Sequence, residues 1–399
     1  MPIHFTHPTT GEPVTANLQE AATVLSPQYG TSYSFDRAGR LLSLFVAGRS
    51  LQRTLDHRLL VRHKDGPRRR VELFPDERDA ILAQAFATLG ELAAALPQAN
   101  LAPADRSALA ARLDTILALG PDSLAADGEA YRRLMLPVSI LPPDQYLALV
   151  VQATVGCSWN RCTFCGLYRD RPFRVRGTEE FRAHAEAVRD LFGAGLNLRR
   201  SLFLADANAL TIPQPRLLAL VEIAQDVFSE AGQPRPLYSF VSAFDAGRKS
   251  AQDWAALRAF GLTRVYIGLE TGDDELLRFV DKPGTAADAI QAVRDLKTTR
   301  IGVGVIAMVG LGGDRFAAQH EAHTVAAIQS MPLDRADVIY LSAYRPAPLT
   351  PYPAKAADAG IAPLTPEQET AQQRAMQEAL RASFPHTRVA PYHVEGFAL

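Results

Sequence analysis

Residues 146–169 read YLALVVQATVGCSWNRCTFCGLYR, an apolar run that leads directly into Cys157, Cys162 and Cys165. The 399-residue chain contains no other cysteine, and an odd, tightly clustered set cannot form a complete disulfide framework. Three thiolates on one short loop instead indicate a metal site. Structural zinc and the common electron-transfer clusters use four ligands, so this loop is one ligand short. The open coordination position predicts a reactive site rather than a structural one.

The spacing Cys-x4-Cys-x2-Cys resembles the cluster loop of radical S-adenosylmethionine (SAM) enzymes, which usually has one residue fewer between the first two cysteines. The resemblance implies that the three cysteines hold three irons of a [4Fe–4S] cluster, and that the fourth iron binds the amino and carboxylate groups of SAM. Phe164 matches the aromatic position that this superfamily places near the adenine. The cysteines leave one alternative open, a Cys3His zinc site with His184 as the nearest downstream histidine.

Downstream of the cysteines, short runs of branched apolar residues alternate with amphipathic stretches of helical length. This alternation predicts βα units and a parallel sheet. The predicted strands cover residues 147–155, 201–205, 237–243, 264–269, 302–309 and 337–343. Six such units resemble the partial (β/α)6 TIM-like barrel of the radical SAM fold, an α/β fold whose chemistry gathers at the C-terminal ends of the strands. The cysteine loop follows the first predicted strand and is therefore expected at that end.

The second predicted strand runs into SLFLADANAL, residues 201–210. Here Asp206 and Asn208 occupy the position of the superfamily's Gly-Gly-Glu element, which accepts hydrogen bonds from the SAM amino group. Alanines replace the two glycines, so only the acceptor role carries over, and Asp206 is the first candidate for it. A lone aspartate at a strand end often caps a helix instead, and capping is the alternative for Asp206.

Two later segments extend the resemblance. RVYIGLETGDDELLRFVDKPGT, residues 264–285, resembles the IGLE-S/T-G segment of coproporphyrinogen-oxidase-like and Elongator-like members, and Glu270 matches their strand-end glutamate that reaches SAM. IGVGVIAMVGLGGD, residues 301–314, resembles their MxGLPG strand and turn. Gly310 in that turn permits a tight bend and close approach of the backbone to a ligand. The resemblance therefore implies that Glu270 and Gly310 line the SAM site.

Composition predicts a soluble globular protein, with 47% hydrophobic residues, 21% charged residues and a formal net charge of −1. No apolar run reaches the ~18–20 residues of a membrane span. The N-terminus, MPIHFTHPTTGEPV, has neither the basic start nor the apolar core of a secretory signal. These features and an oxygen-labile cluster predict the cytoplasm. We expect an unidentified substrate, an electron donor such as flavodoxin or ferredoxin, and no membrane partner.

Residues 1–140 differ in character and are predicted to form an accessory α+β domain. Within them, residues 31–74 alternate polar and apolar positions, which predicts two or three antiparallel strands. Helices are predicted at residues 76–96, 103–119 and 124–135. Between Arg37 and Arg70 the chain has nine arginines and one lysine against two aspartates. This basic strip permits nucleic-acid binding, but few aromatic residues accompany it for base stacking, so a solvated, salt-bridged face is favoured.

The barrel is predicted to cover residues 141–350, and a C-terminal helix and tail to cover residues 351–399. The helix is expected at residues 366–383, because Pro366 and Glu367 suit a first helical turn. The tail after it is polar and aromatic enough to fold over the open barrel mouth, and an ordinary surface tail is the alternative. Its candidate residues are His386, Tyr392, His393 and Glu395.

The leading functional prediction is an enzyme that cleaves SAM reductively to a 5′-deoxyadenosyl radical, which then abstracts hydrogen from a substrate. Two other classes stay open. One is a haem-binding or chaperone-type protein on the same scaffold, with His386 or His393 as an axial ligand. The other is a zinc-stabilised protein without redox chemistry. Because one fold hosts many reactions, the resemblance does not name the substrate.

Overall fold

The computed structural model describes residues 2–62, 70–229, 233–347 and 350–393. The chain forms two compact units. The described residues of the first unit lie in 2–137 and 187–200, and those of the second lie in 138–186 and 201–393. The predicted domain boundaries near residues 140 and 350 stay predictions.

The first unit is built on an antiparallel sheet whose strands follow one another in chain order. In the described residues its eight strands are β1 (Ile3–Thr6), β2 (Pro13–Leu18), β3 (Ala22–Ser26), β4 (Ser32–Asp36), β5 (Leu41–Val46), β6 (Arg49–Arg53), β7 (Leu59–Arg62) and β8 (Arg70–Glu72). The sequence predicted only two or three of them. The earliest strands escaped prediction because their short alternation is interrupted by the turn-forming segments PTTGEP and SPQYG.

Helices cover this sheet at the positions that the sequence predicted. They are α1 (Pro75–Ala95), α2 (Pro103–Ala118) and α3 (Pro121–Leu134). Each begins with a proline, which suits the first turn because an N–H there has no partner within the helix. On α1, Leu82 and Leu89 are buried, and Phe86 meets Phe35 of β4 edge to face with ring centroids 6.4 Å apart. The contact joins helix and sheet in one apolar core.

One helical stretch of the described chain, Pro75–Gln98, is apolar and long enough to cross a bilayer by composition, with a mean hydropathy of 1.4. The core helix of a globular protein can meet the same criteria of length and hydropathy. The side chains that α1 buries recur every three or four positions, which is the pattern of an amphipathic helix packed on a core. They are Leu82, Ala85, Phe86, Leu89, Leu92 and Ala95. We therefore assign α1 to the core of the first unit.

The second unit begins with strand β9 (Leu149–Gln152), followed by a short antiparallel pair, β10 (Thr154–Val155) and β11 (Arg174–Val175), that brackets the cysteine loop. β9 opens a parallel sheet of seven strands within the described residues, and the strands lie side by side in chain order. The other six are β12 (Leu202–Ala205), β13 (Leu237–Val241), β14 (Leu262–Glu270), β15 (Gly302–Val309), β16 (Val338–Ala343) and β17 (Arg388–Pro391). The predicted strands are all present, and the predicted partial-barrel α/β fold is confirmed.

Helices connect these strands. They are α4 (Thr178–Phe192), α5 (Gln214–Phe228), α6 (Ala243–Ala246), α7 (Ala251–Ala259), α8 (Asp274–Phe279), α9 (Ala286–Thr298), α10 (Gly313–Gln329), α11 (Tyr352–Asp358) and α12 (Pro366–Ser383). Capping boxes that begin at Ser250, Thr285 and Thr365 fix the starts of α7, α9 and α12. The predicted C-terminal helix at residues 366–383 matches α12.

Asp144, just before β9, ties together the strand ends opposite the cysteine loop. Its carboxylate accepts hydrogen bonds from the hydroxyls of Tyr266 at 2.6 Å and Tyr340 at 2.7 Å, and lies 2.6 Å from the guanidinium of Arg264. Burial would raise the pKa of Asp144, but these partners outweigh it and lower that pKa. The segment before β9 is thereby held against β14 and β16.

The C-terminal tail differs from both sequence-based expectations for it. Residues 388–391 form β17, a seventh parallel strand paired with β16, and this edge strand was not predicted. Tyr392 is 1% exposed and donates a hydrogen bond of 2.7 Å to the carbonyl of Leu141. The tail therefore extends the sheet and links its last strand to the chain before β9. His386 lines a surface groove with Asp334 and other residues, and Glu395 lies outside the described residues.

Candidate active site

The predicted site residues meet at one end of the parallel sheet of the second unit. The loop with Cys157, Cys162 and Cys165 follows β9 and β10, Asp206 follows β12, and Glu270 is the last residue of β14. Because parallel strands end at the same edge, residues far apart in sequence come together there. The structure therefore brings the predicted residues together at the C-terminal ends of the strands, and their function as a site stays a prediction.

The cysteine loop accommodates its extra residue through its backbone. Gly156 and Asn160 adopt positive φ angles of 74° and 50°, a region that glycine and asparagine enter most readily. The Asn160 N–H lies 3.4 Å from the sulfur of Cys157, and its side-chain amide donates a hydrogen bond of 2.9 Å to the carbonyl of Tyr168. Asn160 thus folds the longer spacer back on the loop.

Arg169 braces the second half of the loop from the solvent side. Its guanidinium donates hydrogen bonds to the carbonyls of Cys162 at 2.8 Å and Cys165 at 2.9 Å. The backbone N–H of Thr163 donates to the carbonyl of Val280 at 2.9 Å. These contacts fix the main chain and use none of the sulfurs, and all three cysteines are free thiols.

Lys282 is the residue of this site that sequence reasoning missed. Burial raises the pKa of the Cys162 thiol to about 12, and Lys282 is the principal group that opposes this. Burial would lower the pKa of Lys282, but Glu270 and all three thiols raise it above its ordinary value. A largely buried ammonium is therefore near enough to all three thiols to interact with them electrostatically. Its only sequence signal was a lysine before Pro-Gly, downstream of the recognised IGLETG segment.

Glu270 ends β14 in a constrained backbone conformation. It is a non-glycine residue with φ of 62°, and its carboxylate folds back over Gly268, where any Cβ would clash with it. The Glu270 Oε1 atom lies 3.6 Å from the Lys282 ammonium. Burial raises the pKa of Glu270, against the effect of Lys282. The carboxylate therefore lies beside Gly268 at the end of β14 and faces the Lys282 ammonium.

Asp206 is 2% exposed and contacts the start of the cysteine loop. Its Oδ2 atom accepts a hydrogen bond of 3.2 Å from the Gly156 N–H and lies 3.5 Å from the Arg171 guanidinium. Its own N–H donates to the hydroxyl of Thr154 at 2.8 Å. Burial raises the pKa of Asp206 to about 6, although Gly156 and Arg171 both act to lower it. Its described contacts brace the loop, and helix capping is not among them.

Asn208 links the cysteine loop to the end of β13. Its side-chain amide donates hydrogen bonds to the hydroxyl of Ser158 at 2.9 Å and to the carboxylate of Asp245 at 2.6 Å. Its side-chain oxygen accepts the N–H of Ser242 at 2.9 Å. All of these partners are at or beyond strand ends. Asn208 is therefore a buried connector between three loops of the site.

The backbone at Gly310 contacts the C-terminal helix α12 rather than an open cavity. Its N–H donates a hydrogen bond of 2.8 Å to the side-chain oxygen of Gln372 on α12, and a Cβ at this position would meet Glu369. Gly310 has a φ of 80°, so the expected tight turn is present. The C-terminal helix α12 packs directly against this turn, a contact that the sequence did not predict.

Phe164 packs against a buried apolar cluster that includes Leu276, Leu311, Tyr344 and Tyr352. Two buried hydroxyls of this region, on Thr163 and Tyr344, have no hydrogen-bond partner among the described residues. A buried polar atom without a partner is destabilising, and such atoms often await a ligand or a water. The apolar cluster around Phe164 therefore includes two hydroxyl groups that lack a hydrogen-bond partner among the described residues.

The zinc alternative finds no support in the geometry. His184 is buried, and its Nε2 atom accepts the N–H of Gln152 at 3.1 Å, so that nitrogen is engaged. Among the residues that the structure describes, no group of three or more His, Cys, Asp and Glu side chains is placed to hold one metal ion. A [4Fe–4S] cluster spreads its cysteines over different irons, so it does not need such a group.

Residues 151–318 match the model of the radical SAM superfamily. Among solved structures, coproporphyrinogen III oxidase (HemN) from Escherichia coli is similar at 16% identity, with a TM-score of 0.45 over 59% of this chain and 52% of that chain. The radical SAM methyltransferase TsrM from Kitasatospora setae is 18% identical, with a TM-score of 0.42 over 53% of this chain and 39% of its own. No curated protein matches the sequence.

The chain thus spans about half of that oxidase and less of the methyltransferase. Methylornithine synthase (PylB) is 14% identical with a TM-score of 0.39, and the match covers 65% of this chain and 80% of that one. The family match extends from β9 into α10 and contains the cysteine loop, Asp206, Glu270 and Gly310. Members of this family use a [4Fe–4S] cluster and SAM. Residues 151–318 of this chain therefore form a radical SAM domain.

Proposed function

We propose that this protein is a radical SAM enzyme whose cluster is held by Cys157, Cys162 and Cys165. When bound, the cluster and SAM supply one-electron cleavage of the sulfonium to methionine and a 5′-deoxyadenosyl radical, which abstracts hydrogen from an unidentified substrate. The observation that carries the proposal is the placement of three free thiols beside the buried pair of Lys282 and Glu270. The protein's part is to bind, orient and exclude water.

The residues present fit these cofactors in charge and donor type. Thiolates are the ligands that iron–sulfur clusters require, and burying three of them needs a nearby cation. Lys282 supplies that cation, because the thiols themselves raise its pKa. Without a metal, burial raises the pKa values of Cys162 and Cys165. The loop therefore favours occupants that take thiolates and offset their charge.

SAM carries an ammonium, a carboxylate, a ribose and an adenine, and the site offers a partner for each kind of group. We assign Lys282 to the SAM carboxylate and Glu270 to a hydrogen-bond donor of SAM. Phe164 is assigned to the adenine, with the unpartnered hydroxyls of Thr163 and Tyr344 as candidates for its polar edge. Gly310 shapes this wall through its turn, held by α12.

Asp206 stays our candidate for the SAM amino group, with Asn208 as the second. An ionised carboxylate has about four acceptor sites, so its bonds to Gly156 and Arg171 leave capacity for another donor. Because Asp206 also braces Gly156, its role is double: it holds the start of the cluster loop and presents charge to the ligand. Asn208 is already engaged at both ends of its amide.

Three more specific predictions, on the subgroup, the reductant and nucleic acid, also stay proposals. We propose the coproporphyrinogen-oxidase-like or Elongator-like subgroup on the strength of the IGLETG and MVGLGG segments. The reductant would be a flavodoxin or ferredoxin in the cytoplasm, and nucleic acid is not favoured as a substrate. For the haem-carrying alternative, with His386 or His393 as the axial ligand, the described residues supply no supporting observation.

Anaerobic reconstitution followed by metal and sulfide analysis tests the proposal. We expect about four irons and four sulfides per chain, and slow release of 5′-deoxyadenosine when dithionite and SAM are added. Stoichiometric zinc without sulfide would contradict the proposal. Untargeted mass spectrometry of cell extracts, treated with reduced protein and SAM, would then identify the substrate through a mass change that requires both SAM and reductant.

A further inference from the structure

Tyr352, the first residue of α11, lies beyond the family match and contacts two separate parts of the proposed SAM site. Its backbone N–H donates a hydrogen bond of 3.2 Å to the carbonyl of Thr163 in the cysteine loop. Its hydroxyl oxygen accepts a hydrogen bond of 2.8 Å from the backbone N–H of Gly312. Tyr352 is 5% exposed. One buried residue therefore connects the cysteine loop to residues 310–313, which we call the glycine turn.

The ring of Tyr352 packs in the apolar cluster around Phe164. It meets Phe279 and Tyr344 edge to face, with ring centroids 6.3 Å and 5.1 Å away. Thr163 directly precedes Phe164 in the sequence. The residue that we assign to the adenine therefore follows directly on the backbone contact that Tyr352 makes.

The cysteine loop is held at Thr163 from two sides. The Thr163 N–H donates a hydrogen bond of 2.9 Å to the carbonyl of Val280, and its carbonyl accepts the N–H of Tyr352. Pro351 and Pro353 flank Tyr352, and each proline ring fixes its own φ angle. A stiff segment of chain therefore holds the loop at a point between its second and third cysteines.

The glycine turn depends on the hydroxyl of Tyr352. Gly312 has a φ of 88°, a conformation that glycine adopts readily, and a Cβ there would lie 2.6 Å from Phe316 and 2.9 Å from Leu276. The hydrogen bond from Gly312 to Tyr352 is buried, and a buried N–H that loses its acceptor is destabilising. Without the hydroxyl, the turn would have to shift to satisfy that N–H.

The other polar contact between α11 and this region is weaker. The Lys355 ammonium lies 3.2 Å from the carboxylate of Asp281, but their side chains are 37% and 48% exposed. Exposed ion pairs contribute little, because water and salt screen them. The buried contacts of Tyr352 are therefore the ones by which α11 acts on the site.

We propose that Tyr352 is a positioning residue for SAM; the inference rests on the proposed function. Through its two hydrogen bonds it sets the separation between Phe164 and the glycine turn, the two walls that we assign to the adenine. Binding groups must be held within about 0.5 Å of their productive positions by the residues that support them. A shift of either wall should therefore weaken binding of the adenosine end of SAM.

The substitution Tyr352→Phe tests this inference, because it removes the hydroxyl and retains the ring and the backbone N–H. Tyr340→Phe is the matched control, since it removes a buried hydroxyl that donates to Asp144 at 2.7 Å, at the strand ends opposite the cysteine loop. Equilibrium dialysis on reconstituted proteins of measured iron content gives the affinity for SAM. We expect Tyr352→Phe to retain full iron and bind SAM about three- to tenfold more weakly, as for one lost hydrogen bond. Tyr340→Phe should bind SAM within about twofold of the wild type.

Competition by 5′-deoxyadenosine, which lacks the amino-acid end of SAM, locates the effect. Tyr352→Phe should weaken 5′-deoxyadenosine and SAM by the same factor. Lys282→Ala, at the residue assigned to the SAM carboxylate, should weaken SAM and leave 5′-deoxyadenosine unchanged. The comparison separates a residue that positions the adenine site from one that binds the amino-acid end.

Wild-type SAM affinity in Tyr352→Phe would overturn the inference. Equal weakening of SAM in Tyr352→Phe and Tyr340→Phe would also overturn it, because the effect would then reflect general stability. Loss of iron in Tyr352→Phe would overturn it as well, by assigning the residue to the cluster instead of SAM. Failure of the fully reconstituted wild type to bind SAM would instead overturn the proposed function.

Discussion

The ammonium nitrogen of Lys282 lies 3.6 Å from Oε1 of Glu270, and the thiols of the cysteine loop act on the same ammonium. This pair balances charge before any cofactor binds. Glu270 neutralises Lys282 while the thiols are protonated, and thiolates take over part of that role when they ionise. The ion pair therefore keeps a charged ammonium group in a largely buried position. An exposed lysine would be hydrated and would act only weakly on the thiols.

Replacing Lys282 with alanine should weaken SAM binding by about tenfold to a hundredfold, because one charged hydrogen bond contributes ~1.5–3 kcal/mol. Equilibrium dialysis of SAM on reconstituted protein of known iron content measures this. Lys282→Arg is the matched control, since it retains the charge. Wild-type SAM affinity in Lys282→Ala would refute the assignment of Lys282 to the SAM carboxylate.

Single replacement of Cys157, Cys162 or Cys165 by alanine should abolish the [4Fe–4S] cluster. Each is proposed to be the only protein ligand of one iron, and the chain has no other cysteine to substitute. Iron and sulfide analysis with visible absorption reports the loss. Ser158→Ala, in the same loop, should retain the cluster. Full iron and sulfide in any of the three cysteine variants would contradict the proposed ligand set.

The sequence predicted the parallel strands and the strand ends at which the candidate residues lie, because both depend on local patterns. Branched apolar runs indicate buried strands, and three cysteines on one loop carry their own chemistry. The sequence did not predict the role of Lys282 or the strand β17, because both depend on tertiary packing. A lysine before Pro-Gly has no periodic pattern, and the four residues of β17 are recognisable only when β16 lies beside them. Asp206 was selected by resemblance, but its bond to Gly156 exists only in the folded chain.

Two substitutions of Asp206 separate its proposed roles in bracing the cysteine loop and in binding SAM. Asp206→Asn retains an oxygen that can accept the Gly156 N–H, whereas Asp206→Ala removes that acceptor as well as the charge. We expect both to bind SAM about tenfold to a hundredfold more weakly, and only Asp206→Ala to lose part of its iron as well. Dialysis and iron analysis give both readouts. If Asp206→Ala binds SAM normally, the assignment to the amino group fails and Asn208 becomes the next candidate.

Protonation of His320 should destabilise the second unit in acid. The carbonyl of Met308 can only accept, so Nε2 carries the hydrogen and donates to it at 3.0 Å, and Nδ1 accepts from the Thr271 hydroxyl at 2.7 Å. Burial lowers the pKa of His320 to about 4, below the ~6.5 of an unfolded histidine. The unfolded chain therefore binds more protons, so stability is complete above about pH 6.5 and falls toward pH 4.

Urea unfolding at about pH 7.5 and about pH 5 checks this expectation. His320→Gln should lower the free energy of unfolding at the higher pH by ~1–3 kcal/mol, since it loses a buried hydrogen bond. It should also show a smaller further loss at the lower pH than the wild type. His386→Gln, an exposed control, should behave as the wild type does. An identical pH dependence in His320→Gln and the wild type would assign the acid sensitivity to other groups.

The basic strip of the first unit should not bind nucleic acid strongly. Among its described arginines, Arg40 and Arg53 are buried and lie 2.9 Å and 3.5 Å from the carboxylate of Asp127. Arg49 pairs with Glu77 at 2.7 Å. The structure thereby converts much of the sequence excess into internal ion pairs. Of the aromatic residues close to the strip in sequence, Tyr33 and Phe35 are 3% and 0% exposed and cannot stack on bases.

Titration of fluorescent tRNA at two salt concentrations is the deciding measurement. A protein that contacts six to ten phosphates loses ~10³–10⁵ in affinity between low and physiological salt, so the salt dependence reports how many of the strip's cations contact phosphates. We expect only weak, salt-sensitive binding, little changed when Arg68, Arg69 and Arg70 become glutamine; the first two lie outside the described residues. Submicromolar binding near about 150 mM salt, lost in that triple variant, would make RNA modification the leading function, because the phosphate contacts would then come from the β7–β8 connection rather than from the paired arginines.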